Sequence, residues 1–220
     1  MKERKITYVS GLYYYSRNGK SSFPHKIISE IEESVKLTPW YKSNIICYAD
    51  SKETAKILDN HGLYVHNIFD NAPNQILINK AHKMKHWIMY NAVKEFNDVV
   101  WIDWDTYLLK PIDQHFENKC LKSIHPKFTY IHNYWATVNC SVYYLNQSYL
   151  ELMEKSFHSI LSEPNDELLW KSVLPENIRS LKQYWLDDYV INVWEEEDFK
   201  KITKNTYFLH LRNFELLKSL

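Results

Sequence analysis

Two acidic residues one position apart, Asp103 and Asp105, follow the uninterrupted apolar run Val99-Val100-Trp101-Ile102. Such a run reads as a buried strand, and residues two apart on a strand project to the same side. The carboxylates of Asp103 and Asp105 are then presented together at the strand's C-terminal end, the edge at which open α/β sheets bind ligands. Two neighbouring carboxylates repel, and a cation relieves the repulsion. Hard oxygen ligands suit Mg²⁺ or Mn²⁺, completed by phosphate oxygens and water. The competing explanation is a strand that ends in a solvated acidic turn. The continuation Thr106-Tyr107-Leu108-Leu109-Lys110-Pro111-Ile112-Asp113 makes the pattern far more specific than a bare D-x-D.

Other groups able to do chemistry are scattered along the chain. Lys80, His82, Lys83, Lys85 and His86 crowd the start of the segment that feeds the apolar run. Asp187 and Asp188 are adjacent, and His210 and Arg212 close the segment Tyr207-Phe208-Leu209-His210-Leu211-Arg212. Each has an ordinary explanation as well: a solvated basic helix face, a helix N-cap in the case of Asp, a hydrogen-bonded core histidine.

The elements that must position these residues alternate between strand and helix. Ile6 to Val9 reads as a strand, followed by an aromatic loop from Ser10 to Tyr15. Residues 24–36 have helical spacing, with Ile27, Ile28, Ile31 and Val35 on one side. A strand at Ile45–Ala49 ends at Asp50, which is placed to cap a helix running to about Asn60, where His61-Gly62 stops it. Leu63 to Phe69 is a further strand. Asn79 to Phe96 is the clearest helix, with Met84, Ile88, Ala92 and Phe96 on one apolar face, and Asn97-Asp98 breaks it. Beyond Pro111 the pattern predicts strands at Phe128–His132 and Ser141–Leu145, a helix at Leu150–Leu161, a helix from Asp187 or Asp188 through Trp194, and a last strand at Thr206–Leu211. Alternating strands and helices predict an α/β fold, a mainly parallel sheet covered on both faces.

Composition narrows the function classes. At 220 residues the chain suits one domain with a substantial core. Its 27 basic residues balance its 27 acidic ones, which argues against a strong nonspecific grip on nucleic acid and leaves a local basic patch open. Cys47, Cys120 and Cys140 form no paired framework, so reduced thiols are expected. With no signal-type stretch at Met1 and no apolar run of membrane-spanning length, the expected location is cytoplasmic, in the host cytoplasm if the chain is phage-encoded.

The segment 79–113, helix then apolar strand then D-x-D-T then Pro-Ile-Asp, resembles the glycosyltransferases of the GT-A fold, particularly glycogenin-like and related small bacterial and phage enzymes. The resemblance is weaker but correctly ordered from residue 5 to residue 212. It implies a Rossmann-like, mainly parallel sheet with a smaller antiparallel acceptor-side region. The nucleotide-sugar-binding half would span about 1–113 and the acceptor-side half about 114–220. It also implies a nucleotide-sugar donor, most simply a UDP-sugar, with Asp105 on the metal and Asp103 contacting the ribose or sharing the metal. Lys83 or Lys85 would hold the donor diphosphate, His210 would complete the metal site, and Arg212 is a secondary phosphate contact. Val138-Asn139-Cys140-Ser141-Val142 resembles an Asn-Ser-Gly-Val stretch on the acceptor side, with Ser141 where glycine is usual, and carries over Asn139. Trp185-Leu186-Asp187-Asp188 resembles the Asp-Gln or Asp-Glu motif facing the acceptor, so that Asp188, or Asp187, would act as general base or orient the acceptor. Ser10, Tyr13 and Asp50 would border the nucleotide, Tyr13 by stacking and Asp50 by a hydrogen bond. Trp104 departs from the family's small middle residue and bears on which donor fits. The acceptor implied is a glycan or, for a phage enzyme, a modified DNA base such as hydroxymethylcytosine.

Two enzyme readings and one silent one compete. A haloacid-dehalogenase-like phosphatase also uses D-x-D after an apolar strand, but there the motif stands near the N-terminus and Thr or Val follows two places later. A nucleotidyltransferase needs a glycine-rich phosphate loop, and Gly11 is the only glycine near the first strand. A binding protein on a transferase scaffold would have no need of both acids, the histidine and the Asp pair.

Overall fold

The computed structural model describes residues 5–17, 20–69, 80–122, 126–129, 138–159, 170, 174 and 181–220. A six-stranded sheet has the order β5-β4-β1-β6-β9-β8, formed by β1 (Thr7–Leu12), β4 (Ile45–Ala49), β5 (Tyr64–Ile68), β6 (Asp98–Ile102), β8 (Lys127–Thr129) and β9 (Asn139–Asn146). The β5-β4-β1-β6 part is parallel, and β9 runs antiparallel to both β6 and β8. A short hairpin pairs β2 (Tyr15–Arg17) with β3 (Lys20–Ser22). A second sheet, β10-β11-β7, joins β7 (Thr106–Leu108), β10 (Val190–Val193) and β11 (Phe208–Leu211). The chain thus crosses between sheets three times: β6 leads into the small sheet through β7, β8 and β9 return to the large one, and β10 and β11 complete the small one.

Alternation along the strands sorts the core into two layers. On one face Tyr8, Leu12, Cys47, Val100, Ile102, Val142 and Tyr144 pack against α1 (His25–Leu37), α2 (Trp40–Asn44), α3 (Lys52–Asn60) and α5 (Gln114–Leu121). On the other, Val9, Tyr48, Val99, Trp101, Tyr143 and Leu145 meet α4 (Lys80–Phe96) and α6 (Leu150–Ser159). Helix α4 buries Met84, Ile88 and Ala92 as its periodicity requires, and also Lys85, Met89 and Val93. Asn97 closes it at φ 68°, a left-handed position that asparagine tolerates.

Four local expectations are corrected. Strand β1 extends to Leu12, so Ser10 lies inside a strand, paired with Cys47, and not in a loop. The cap of α3 is Ser51, whose side chain accepts the Thr54 N–H at 3.2 Å while Thr54 answers the Ser51 N–H. Asp50 is thereby left for another role. The segment after Asp187-Asp188 is not a helix but β10. Its β-branched Val190, Ile191 and Val193 favour a pleated surface, and pairing with β11 decides the matter. Asp103-Trp104-Asp105 is a turn between β6 and β7 and not continuous strand, although burial still alternates through it: Asp103, Asp105 and Tyr107 are half-buried, Trp104, Thr106 and Leu108 buried. The extensions to residue 79, to 130–132 and to 160–161 lie outside the described residues.

Candidate active site

The Asp103–Asp105 turn is tied down from every side. Asp103 N–H donates to the Ser141 carbonyl of β9 at 2.8 Å, and Leu211 N–H of β11 donates to the Asp105 carbonyl at 2.8 Å. Trp104 turns inward, and its indole N–H donates to the Gly11 carbonyl at 2.9 Å. Gly11 has no room for a side chain, since a Cβ would lie 2.7 Å from Ile88 Cδ1 and 3.2 Å from the Tyr48 carbonyl. Ser34 of α1 donates to the Trp104 carbonyl, and the Tyr41 hydroxyl donates to the Thr106 carbonyl at 2.6 Å. Trp104 therefore anchors the turn to β1 and the core. Its ring is buried in the core on the α1 side of the sheet.

The two acids have different surroundings. Asp103 receives Lys85 Nζ on both oxygens, at 2.9 and 3.0 Å, and the Trp101 indole N–H at 2.6 Å. Lys85 is buried, also donates to the Cys140 carbonyl at 2.6 Å, and lies over the rings of Trp101 and Tyr143. The structure thus places Lys85 on Asp103. Asp105 holds one oxygen 3.3 Å from His210 Nε2, while Oδ1 is buried with no hydrogen-bond partner among the described residues. Burial pushes the Asp105 carboxyl up, but His210 above all, with Lys85 and Lys26, outweighs it and holds it below its ordinary value. Burial pulls His210 down, and Asp105 more than reverses this and raises it.

His210 is brought to Asp105 by register, because it pairs with Thr106 across β7 and with Asn192 across β10. Its Nδ1 lies 2.8 Å from Asn192 Oδ1 and 3.3 Å from Asn139 Nδ2. Asn139, in turn, accepts the Ser141 N–H at 2.8 Å.

The remaining sequence candidates divide. Lys83 is buried, and its Nζ has no hydrogen-bond partner among the described residues; burial lowers its pKa. Ser10 is buried in β1, and its hydroxyl has no hydrogen-bond partner among the described residues. Tyr13 is packed into the core with residues of α4, so its ring is not open for stacking, and Tyr14 beside it is half-buried. The carboxylate of Asp50 is used inside the protein, accepting Tyr14 N–H at 2.9 Å and the Thr54 hydroxyl at 3.0 Å. Arg212 is exposed just past β11. Asp187 is half-buried and Asp188 exposed in the turn before β10, and both act electrostatically on Lys119 of α5. The charges acting most strongly on Asp105 are instead His210, Lys85 and Lys26.

Two residues escaped the sequence reading. Asn192 looked like part of a helix. Glu30 sits one turn from Ser34 on α1, pairs with Lys26 at 3.0 Å, and is raised first by burial and then by the nearby Asp105. The i, i+4 spacing of Lys26, Glu30 and Ser34 lines one face of α1 against the acidic turn; without knowing that α1 packs there, the spacing carries no signal.

Among the described residues no three His, Cys, Asp or Glu stand grouped to hold a metal, and no helix is long and apolar enough to cross a membrane. The donors that face one another do suit a divalent cation carrying substrate oxygens. The Asp105 oxygen without a partner among the described residues and the His210 ring would be the protein's ligands, with phosphates and water completing the shell.

The mainly parallel sheet, with its antiparallel neighbour and the small mixed sheet that carries the acidic turn, is the GT-A glycosyltransferase fold. A solved glycosyltransferase involved in glycosylation of the major capsid of PBCV-1 superposes with TM-score 0.51 at 17% identity, over 97% of this chain and 96% of its own. Mouse xyloside xylosyltransferase 1 gives TM-score 0.54 at 10% identity, over 94% and 97% of the two chains. The glycosyltransferase GlyE of Streptococcus pneumoniae TIGR4 gives 0.56 at 12%, over 94% of this chain and 55% of its own. No family model matches the chain, and no curated protein matches its sequence.

Proposed function

We propose that this protein is a glycosyltransferase that moves a sugar from a nucleotide-sugar donor, a UDP-sugar, to a hydroxyl acceptor with the help of Mn²⁺ or Mg²⁺. One observation carries the reading. On a GT-A fold, the half-buried Asp105 carboxylate faces His210 with one oxygen and leaves the other, itself buried, without a partner among the described residues, on a turn fixed by five separate hydrogen bonds.

Asp105 and His210 would hold the cation, whose charge would neutralise the diphosphate as it leaves. Asp103, gripped by Lys85 and Trp101, is a fixed acceptor for donor hydroxyls and keeps Lys85 in place. Lys83 is a buried lysine whose Nζ has no partner among the described residues, a state that a phosphate oxygen would relieve. The ties on the turn hold these groups in place before substrate arrives, so little reorganisation is needed on binding. Ser141 and Asn139, on the strand beside the turn, line the same edge.

The test is incubation with a panel of UDP-sugars in Mn²⁺ or EDTA, followed by measurement of released UDP. Metal-dependent release from at least one donor is expected. Release that EDTA leaves unchanged, or none from any nucleotide sugar, contradicts the reading.

A further inference from the structure

An exposed indole adjoins the candidate site. Five large apolar side chains are exposed among the described residues, and of these only Trp194 makes ring contact with a residue of the site. Its ring centroid lies 5.8 Å from that of His210, with the planes at 77°, and 49% of the residue remains open to solvent.

The position is built into the small sheet. Strands β10 and β11 run parallel, with Asn192 opposite His210 and Val193 opposite Leu211. Pairing continues one step further, because Arg212 N–H donates to the Val193 carbonyl at 3.0 Å. Trp194 and Arg212 therefore emerge side by side, and alternation puts them on the face that carries Asn192 and His210. Val193 and Leu211 belong to the apolar cluster on the other face. Asp198 fixes the backbone here, its Oδ2 accepting the N–H groups of Trp194 at 2.8 Å and Glu195 at 3.1 Å. The indole is thus mounted on a rigid base beside the Asp105–His210 edge.

An indole face carries partial negative charge, which suits the C–H groups on the flat side of a sugar ring. The surroundings indicate what kind of chain carries that sugar. Glu195, Glu196 and Glu197 follow Trp194 directly and are exposed. The two lysines of the same turn are occupied, Lys200 by Glu197 at 3.0 Å and Lys201 by Asp198 at 2.5 Å. An acidic rim repels a phosphodiester backbone and accepts hydrogen bonds from hydroxyl groups.

We propose that Trp194 is an acceptor-binding residue whose exposed indole stacks on a ring of a neutral glycan, next to the cation that Asp105 and His210 would hold. This inference rests on the functional reading above and adds the class of acceptor, a neutral glycan and not DNA.

Saturation-transfer NMR of the protein with UDP and Mg²⁺ tests it. The probes are the methyl glycosides of glucose, galactose, mannose and xylose, the disaccharides cellobiose and lactose, and a single-stranded oligonucleotide. At least one sugar should bind the wild-type protein. Trp194→Ala should weaken that binding by roughly 3–10-fold, the scale of one aromatic contact, and Trp194→Phe should restore most of it. UDP-dependent Mn²⁺ binding, read by electron paramagnetic resonance, should be the same in both variants as in the wild type. Failure of every sugar to bind, sugar binding indifferent to Trp194→Ala, or Trp194-dependent binding of the oligonucleotide in place of the sugars overturns this inference alone. Loss of Mn²⁺ binding in Trp194→Ala also overturns it, because the ring would then serve only to support His210. Absence of any UDP-dependent Mn²⁺ binding in the wild-type protein overturns the functional reading with it.

Discussion

Two charged corners of this molecule are built from similar residues and behave differently. At the Asp103–Asp105 turn, two acids face Lys85 and His210, so opposite charges interlock around one oxygen that has no partner among the described residues. At the corner between α5, β8 and the turn before β10, Lys119 and Lys127 both donate to the Gln183 carbonyl, at 3.2 and 2.8 Å. There burial, with Lys119 adding repulsion, pulls Lys127 down to about 8. The nearby Asp187 and Asp188 only partly offset the same burial effect at Lys119. An adjacent acid pair is therefore not in itself a site. Asp105 is distinguished by backbone ties on both sides and by one buried oxygen that has no partner among the described residues.

The largest effect expected from this contrast is at Asp105. Asp105→Asn should keep the fold and cut metal-dependent transfer by more than the roughly 10–100-fold that outer partners of a metal site cost. Turnover within tenfold of wild type would place the chemistry elsewhere. Lys85→Met should come next: it leaves the Cys140 carbonyl without its donor and Asp103 without its ion pair. Because Asp103 is partly wet, the stability loss should be about 1–3 kcal/mol, below the full cost of breaking a buried pair. Chemical denaturation would show it, and an unchanged midpoint would mean that the pair does not hold the turn.

The lysine corner gives a smaller effect of defined sign. With Lys127 lowered to about 8 from 10.5, the folded protein binds fewer protons than the unfolded chain between those values. Stability should therefore rise with pH above about 8 through this group. Comparing wild type with Lys127→Met between pH 8 and 10 isolates it: the wild type should gain relative to the variant, and parallel profiles would refute the burial of a charged Lys127. Smallest of all, Asp188→Asn should shift stability by less than about 0.5 kcal/mol, as exposed substitutions do. It should also leave UDP and Mn²⁺ binding unchanged. Loss of transfer with binding intact would instead make Asp188 the acceptor-side base and erase the contrast drawn between the two corners.

The legible parts of the fold were those with a strong local period. Helix α4, β6 and the placement of D-x-D at a sheet edge follow from residues 80–105 alone. The acid pair was legible by type and spacing, but the difference between its members was not. That difference depends on Lys85 reaching Asp103 from α4 and on β11 delivering His210 to Asp105, contacts between residues 18 and 105 positions apart. The error at β10 was avoidable, since Val190, Ile191 and Val193 are β-branched; a capping Asp pair outweighed them. At Asp50 the competing cap one residue later, Ser51 with Thr54, was equally present in the sequence. Asn192 and Glu30 carried no signal in isolation, because their roles exist only once β10 lies beside β11 and α1 lies on the turn.

The central claim is that the Asp105–His210 edge binds a nucleoside diphosphate together with a divalent cation. Titration calorimetry of UDP into the protein, with Mn²⁺ and then with EDTA, tests this most directly. The account predicts binding with Mn²⁺ that falls by at least about tenfold in EDTA and is lost in Asp105→Asn. UDP binding of equal strength in Mn²⁺ and EDTA, unaffected by Asp105→Asn, would contradict it.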